Sequence, residues 1–198
     1  MYLLTETASP FALERWAAFF ANFGQFAKGF FYTLGISIGA LIVALLLGLI
    51  FGAMSSTHNK VLRGISRVYV EIFQNTPLLV QFVVVFYGIS ILTDGHVMIP
   101  ISLTAILCVG IYTGAYISEI IRTGIEAVPK GQTEAALSQG FTYADTMRII
   151  ILPQAVRTIL PPLTNQVVNL IKNTSTVAII SGADIMFTAK AWAYDTTN

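Results

Sequence analysis

Four stretches of the chain are apolar for long enough to cross a lipid bilayer, and polar segments separate them. From Gly29 to Met54 no residue carries a charge. At 1.5 Å per residue a helix over this run is roughly 39 Å long, more than a ~30 Å hydrocarbon core requires. Its glycines at 35, 39, 48 and 52 form two small-xxx-small pairs, Gly35/Gly39 and Gly48/Gly52, which predict close packing of a neighbouring helix. The second run, Ile72 to Leu92, is uncharged but holds "QNTPLLVQ". Pro77 there biases Thr76 away from helical angles, so a helix is expected to start or break at that point. The third, Val97 to Ile117, continues into Ser118, Glu119 and Arg122, and the fourth, Ile149 to Ile171, carries Pro153, Arg157, Pro161 and Pro162. A helix with that many prolines is poor in water. Within a bundle it is tolerable, because neighbours can bond the carbonyls that proline leaves free.

The polar segments orient these spans. Lys60, Arg63 and Arg67 fall in a predicted loop from Ser55 to Val70, and Arg122, Lys130 and Arg148 fall in the long loop before the fourth span, whereas the turn after the second span holds only Asp94. The excess of basic residues puts the first and third loops in the cytoplasm and the N-terminus outside. Residues 1–28 form an external segment in which "FALERWAAFFANFGQFAKGF" reads as an amphipathic helix in the outer interface or as an irregular tail. Glu6, Glu14 and Arg15 among its aromatics exclude a cleavable signal. After the fourth span, "KNTSTVAIISGADIMFTAKAWAYDTTN" is interrupted by Asp184 and Lys190 and is expected to lie outside without forming a fifth span.

Composition agrees with an integral membrane protein. Of 198 residues 55% are hydrophobic and 11% charged, with a mean hydropathy of +0.73, too little charge to cover a soluble surface. A net charge of +1 supplies no basic face for nucleic acid. The lone Cys108 lies in an apolar run and can form no internal disulfide. His58 and His96 lie in loops on opposite sides, and no acid, Cys or His cluster has ligand spacing, so neither a metal nor another cofactor is expected. No spacing suggests a catalytic triad or an acid/base pair.

The cytoplasmic loop between the third and fourth spans, residues 122–148, carries the first candidate chemistry. Pro129 opens a short helix, Glu134 falls near its positive end, and Gly140 ends it; Thr142 and Asp145 then have capping-box spacing for a second helix leading into "MRIII". Helices this short are marginal in water. Glu134, Ala135 and Ala136 either favour their own helix or present a small, anionic surface to a groove in a partner, and propensity alone leaves both readings open.

The second candidate is a polar face at membrane depth. Asn165, Asn169 and Asn173 recur every four residues along the fourth span, Thr158 and Pro162 extend their face towards the cytoplasm, and Thr174 and Ser175 add hydroxyls beside Asn173. Such amides line a path, donating to a carboxylate and accepting from an ammonium, or they bond a neighbouring helix for about 0.6 kcal/mol each. Gln74, Asn75 and Thr76 precede the Pro77 break, where freed N–H groups meet an anion or Thr76 caps the new helix. Glu119 and Arg122, three apart, suit a structural ion pair or a bond to the loop.

The run Glu134-Ala135-Ala136, three residues, Gly140, nine residues, Ile150, one residue, Leu152-Pro153 resembles the EAA loop of the membrane-spanning subunits of bacterial ABC importers. "NTPLLVQFVVVFYG", "GAYISEIIRTGIEAVPKGQTEAA" and "LPQAVRTILPPLTNQVVNLIKNTS" are similar to the polar amino acid permease branch, and the resemblance extends from about Phe31 to Trp192. It implies an all-α polytopic bundle, the type I importer permease fold, as a single transmembrane domain over residues 29–198 in the bacterial cytoplasmic membrane. It implies as partners a cytoplasmic ATPase dimer, a second permease subunit (the same chain or a homologue), an extracytoplasmic substrate-binding protein or domain, and an amino acid substrate. Glu134, Ala135, Ala136 and Gly140 then become the coupling positions. No GxxxxGK[ST] loop occurs, so ATP chemistry is expected of the partner.

Two further expectations come with the resemblance. The comparable position to Asn173 lies at the binding cavity of such permeases and varies between amide and acid, so an amide suits a less strongly cationic substrate. The family core has five helices, and the last is expected to be missing here, because the sequence stops at Asn198 where it would soon begin. A channel lined by the same amides, or an intramembrane enzyme, would leave the cytoplasmic loop without a role.

Overall fold

The computed structural model describes residues 13–197, and all regular structure among them is helical. The order is α1 (Leu13–Ala21), α2 (Phe23–Ser55), α3 (Lys60–Asn75), α4 (Leu78–Val83), a π-helical turn (Val84–Gly88), α5 (Ile89–Leu92), α6 (Ile101–Glu126), α7 (Lys130–Ser138), α8 (Tyr143–Asp145), a second π-helical stretch (Thr146–Ile151), α9 (Leu152–Asn173), a 3-10 stretch (Thr174–Ile180) and α10 (Ile185–Thr197). The expected amphipathic segment before the first span is helical as α1 and the start of α2, except for its first two residues, which lie outside the described part.

α2 and α6 form the central pair. Gly39 faces Ile106, Gly48 faces Ile117 and Gly52 faces Ile121, while Gly110 and Gly114 of α6 face Ala40, Val43, Ala44 and Leu47 of α2. The numbers rise together, so the two helices run parallel. A Cβ at Gly48 would lie 2.4 Å from Ile117 Cγ2, which shows that the small residues set the closeness of the pair. Gly35 is the exception to the predicted pairs, because it meets nothing within 4 Å.

α9 runs the other way along α6. Its start packs at Gly124, through Ile159 and Ala155, and the chain beyond its end returns to Ile101 through Gly182. Among the described residues, by length and composition only α2 and α6 qualify singly as spans, with the bent α3–α5 unit as a third. The fourth expected span is polar for a membrane helix, but it follows α6 from one end to the other and therefore crosses whatever α6 crosses.

One expected loop is a helix, and one expected break is found in place. Most of the predicted Ser55–Val70 loop is the helix α3, because the Asn59 side chain accepts from Val61 N–H at 2.9 Å and from Leu62 N–H at 3.3 Å. Its apolar residues also recur with helical period. The predicted break at Pro77 is a 97° bend between α3 and the following helix. Pro77 cannot donate to Phe73 O, and the buried side chain of Gln81 takes its place, donating to Phe73 O at 3.2 Å and Thr76 O at 3.0 Å.

Candidate functional site

At the end of the bundle where α2 and α6 terminate, α7 to α9 form a bent lever. α7 ends in a Schellman turn: Gly140 has φ +87°, Phe141 N–H donates to Ala136 O at 3.2 Å and Gly140 N–H to Leu137 O at 3.0 Å. Thr142 then caps α8, accepting from Asp145 N–H at 3.2 Å while its hydroxyl donates to Asp145 Oδ2 at 2.6 Å. The predicted capping box therefore closes through the hydroxyl instead of through the backbone N–H of Thr142.

The following turns widen into a π-helix, in which Leu152 N–H reaches Met147 O, five residues back. Pro153 is a sufficient cause. It has no N–H for Ile149 O, and its ring crowds that carbonyl. Gln154 Nε2 donates to the neighbouring Ile150 O at 2.9 Å.

The four EAA positions divide. Ala136 is buried at 3% exposure against the π-helical segment, so it braces the lever from within. Glu134, Ala135 and Gly140 are exposed. Glu134 lines a cavity of about 680 Å³ between α7, Thr146–Ile151 and the α2–α3 turn. There His58 meets Tyr143 edge-on, with ring centroids 5.1 Å apart.

Arg122 binds Glu119 with Nε at 2.9 Å and with Nη2, and Glu126 with Nη1. All three belong to α6, so the group stiffens that helix end and does not tie it to the lever. Between it and α3 lies a second cavity of about 760 Å³.

The predicted path residues also separate. Ala155, Gln166 and Leu170 turn inward, which points Asn165 and Asn169 out of the chain; both are exposed and make no side-chain hydrogen bond within the described residues. Among the described residues neither amide bonds another helix of the chain. Asn173 is half-buried and Ser175 exposed, but Thr174 is 1% exposed, turned inward with its hydroxyl on Ile171 O at 2.7 Å. On the bent unit, Gln74 donates to Ala115 O of α6 at 3.2 Å. Thr76 does not cap α4, because its hydroxyl donates back to Ile72 O at 2.7 Å; Asn75 is exposed.

Sequence reasoning missed Asp184. The residue is fully buried, its Oδ1 accepts from Phe187 N–H at 2.9 Å, and its Oδ2 has no hydrogen-bond partner among the described residues. Burial raises its carboxyl above the ordinary value against the opposing hydrogen bonds and Lys190. The signal was present, since an aspartate directly before an apolar helical run has N-cap form.

Residues 44–198 match the family described as "Binding-protein-dependent transport system inner membrane component". Among curated relatives, the probable glutamine ABC transporter permease protein GlnM of Bacillus subtilis (strain 168) is 42% identical over 173 residues, covering 86% of this chain and 77% of its own. The glutamate/aspartate import permease protein GltJ of Escherichia coli (strain K12) is 35% identical over 187 residues, 85% of this chain and 76% of its own. The crystal structure of an amino acid ABC transporter with histidines superposes with a TM-score of 0.84 at 33% identity, over 92% of this chain and 84% of that one.

Proposed function

From the premise that this chain belongs to the family of binding-protein-dependent transport system inner membrane components, we propose that residues 130–153 pass the motion of an ATPase to an amide-faced path along α9. The chain is a membrane-spanning permease subunit of an ATP-driven amino acid importer, with the type I fold. It is not an enzyme, and ATP hydrolysis belongs to the partner ATPase. A substrate-binding protein is the other partner that the family implies.

In this reading Glu134, Ala135 and Gly140 meet a cytoplasmic ATPase dimer, and Ala136 holds α7 against the π-helical segment, so that displacement of α7 tilts α9. The observation that carries it is the exposed Glu134 on a nine-residue helix, too short to persist alone yet braced from one side only. Lys60, Arg63, Arg67, Lys130 and Arg148 gather at the lever's end, which supports placing that end in the cytoplasm and the N-terminus outside a bacterial inner membrane. A second permease subunit, the same chain or a homologue, completes the path.

The substrate is assigned as a polar amino acid without a strongly cationic side chain. Asn165, Asn169, Asn173 and Ser175, with Asn75 at the bend, are the path candidates, whereas Thr174 faces the core and Gln74 and Thr76 are held by backbone carbonyls. α9 contains no carboxylate at all, and the relatives above are named for glutamine and for glutamate and aspartate. The test is the transporter in proteoliposomes with its ATPase and binding protein. Glutamine or glutamate should stimulate ATP hydrolysis above arginine, Glu134→Arg should reduce co-purification of the ATPase, and Asn165→Leu with Asn169→Leu should reduce uptake while leaving co-purification intact. Retained co-purification and uptake in all variants would defeat the reading.

A further inference from the structure

Gly64 lies in the first half of α3, and no packing among the described residues accounts for it. A Cβ there would meet nothing within 4 Å, whereas the glycines of α2 and α6 that face each other are crowded. Glycine weakens a helix interior, so an open one is informative. On the helix surface its neighbours three and four residues away are Lys60, Val61, Arg67 and Val68. A bare strip of backbone thus has two cations on one side and two valines on the other, 69% and 56% exposed.

Both rows extend. Ile65 and Ile72 continue the exposed apolar side, and Arg63 adds to the basic side. Lys60 and Arg63 have no carboxylate partner within the described residues, Arg67 pairs only with Glu71, and no acid stands in the first turn. All three basic residues and Gly64 line the 760 Å³ cavity. Its carboxylates, Glu71, Glu119 and Glu126, are already held by Arg67 and Arg122.

We infer that this face of α3 is a binding site for an anionic phospholipid, whose phosphate lies over Gly64 against Lys60, Arg63 and Arg67 and whose acyl chain follows Val61, Ile65, Val68 and Ile72. The inference relies on the cytoplasmic placement of this end, which sets the start of α3 at headgroup depth. Charge decides between a lipid and a packing helix. A helix seated on the strip would bury Lys60 and Arg63 without partners, at a high desolvation cost, while an acidic headgroup supplies the missing charge.

The test uses the assembled transporter in phosphatidylcholine nanodiscs with a rising fraction of phosphatidylglycerol, and counts retained phosphatidylglycerol by native mass spectrometry. Lys60→Gln with Arg63→Gln should lower its affinity about five-fold per cation, roughly 25-fold for the pair. Gly64→Leu, which fills the strip and keeps every charge, should lower it several-fold. Lys28→Gln, at the opposite end, should leave it unchanged. Loss in the charge variant with none in Gly64→Leu would mean diffuse attraction and overturn the site. Subunit dissociation by Gly64→Leu with lipid retention unchanged would mean a protein interface and overturn it equally. ATPase co-purification, read on the same samples, separates these outcomes from a failure of the importer reading.

Discussion

Gly140→Ala isolates the backbone geometry of the lever. Gly140 has φ +87°, and beyond its two chain neighbours a Cβ there meets no described atom within 4 Å, so the added methyl clashes with no packed neighbour. The whole penalty is the left-handed conformation, about 1–2 kcal/mol for a residue with a Cβ. The Schellman bonds from Phe141 and Gly140 depend on that conformation. If the bent form is what the ATPase grips, a penalty of that size lowers its population, and hence the affinity for the ATPase, by up to roughly 5- to 30-fold. Gly131→Ala is the matched control: it also meets nothing within 4 Å, but it lies inside α7, where alanine favours helix by up to about 1 kcal/mol. One chemical change at two open sites therefore has opposite expected signs. The assay is titration of the ATPase onto the permease in nanodiscs, with substrate-stimulated hydrolysis read in parallel. Equal affinities for both variants and wild type would refute the argument that the turn at Gly140 holds the lever in its working shape.

Three other outcomes are expected from the bundle. Gly48→Ala places a carbon 2.4 Å from Ile117 Cγ2, and should cost about 1–3 kcal/mol, seen as a lower melting temperature in detergent, whereas Gly35→Ala should not destabilise. Gln81→Met leaves Phe73 O and Thr76 O unsatisfied at the 97° bend and should cost about 1–3 kcal/mol by the same assay. Asp184 has a raised carboxyl pKa in the folded protein, so the native state binds more protons than the unfolded state between the ordinary carboxylate value and the raised one. Stability should therefore fall as pH rises through that window, and Asp184→Asn, which keeps the cap through its amide oxygen, should flatten the dependence; an unchanged pH profile of melting would contradict the burial argument.

Local patterns are legible wherever a residue acts on its own backbone. Pro77 forbids a regular helix at Thr76, Gly140 suits a left-handed turn, and Thr142 caps the helix after it, so each announces a break or cap that the structure contains. The amphipathic α3 reads as a loop when Lys60, Arg63 and Arg67 are given more weight than the helical period of Val61, Ile65, Val68 and Ile72. The EAA run is recognisable by spacing, but the division of labour within it is not. Whether Ala136 braces the lever or faces a partner depends on the π-helical segment folding back beside it.

The sequence by itself determined the membrane setting, the approximate positions of α2, α6 and α9, the bent lever and the family, because hydropathy, proline, glycine and motif spacing act over a few residues. Only the tertiary structure decided which glycines of α2 and α6 interlock and that Gln81 mends the break at Pro77. The same holds for the direction of α9's amides, which leave the chain because Ala155, Gln166 and Leu170 claim the inner face. Those outcomes depend on which helix face finds a neighbour, and a helix offers every face equally until another helix packs against one of them.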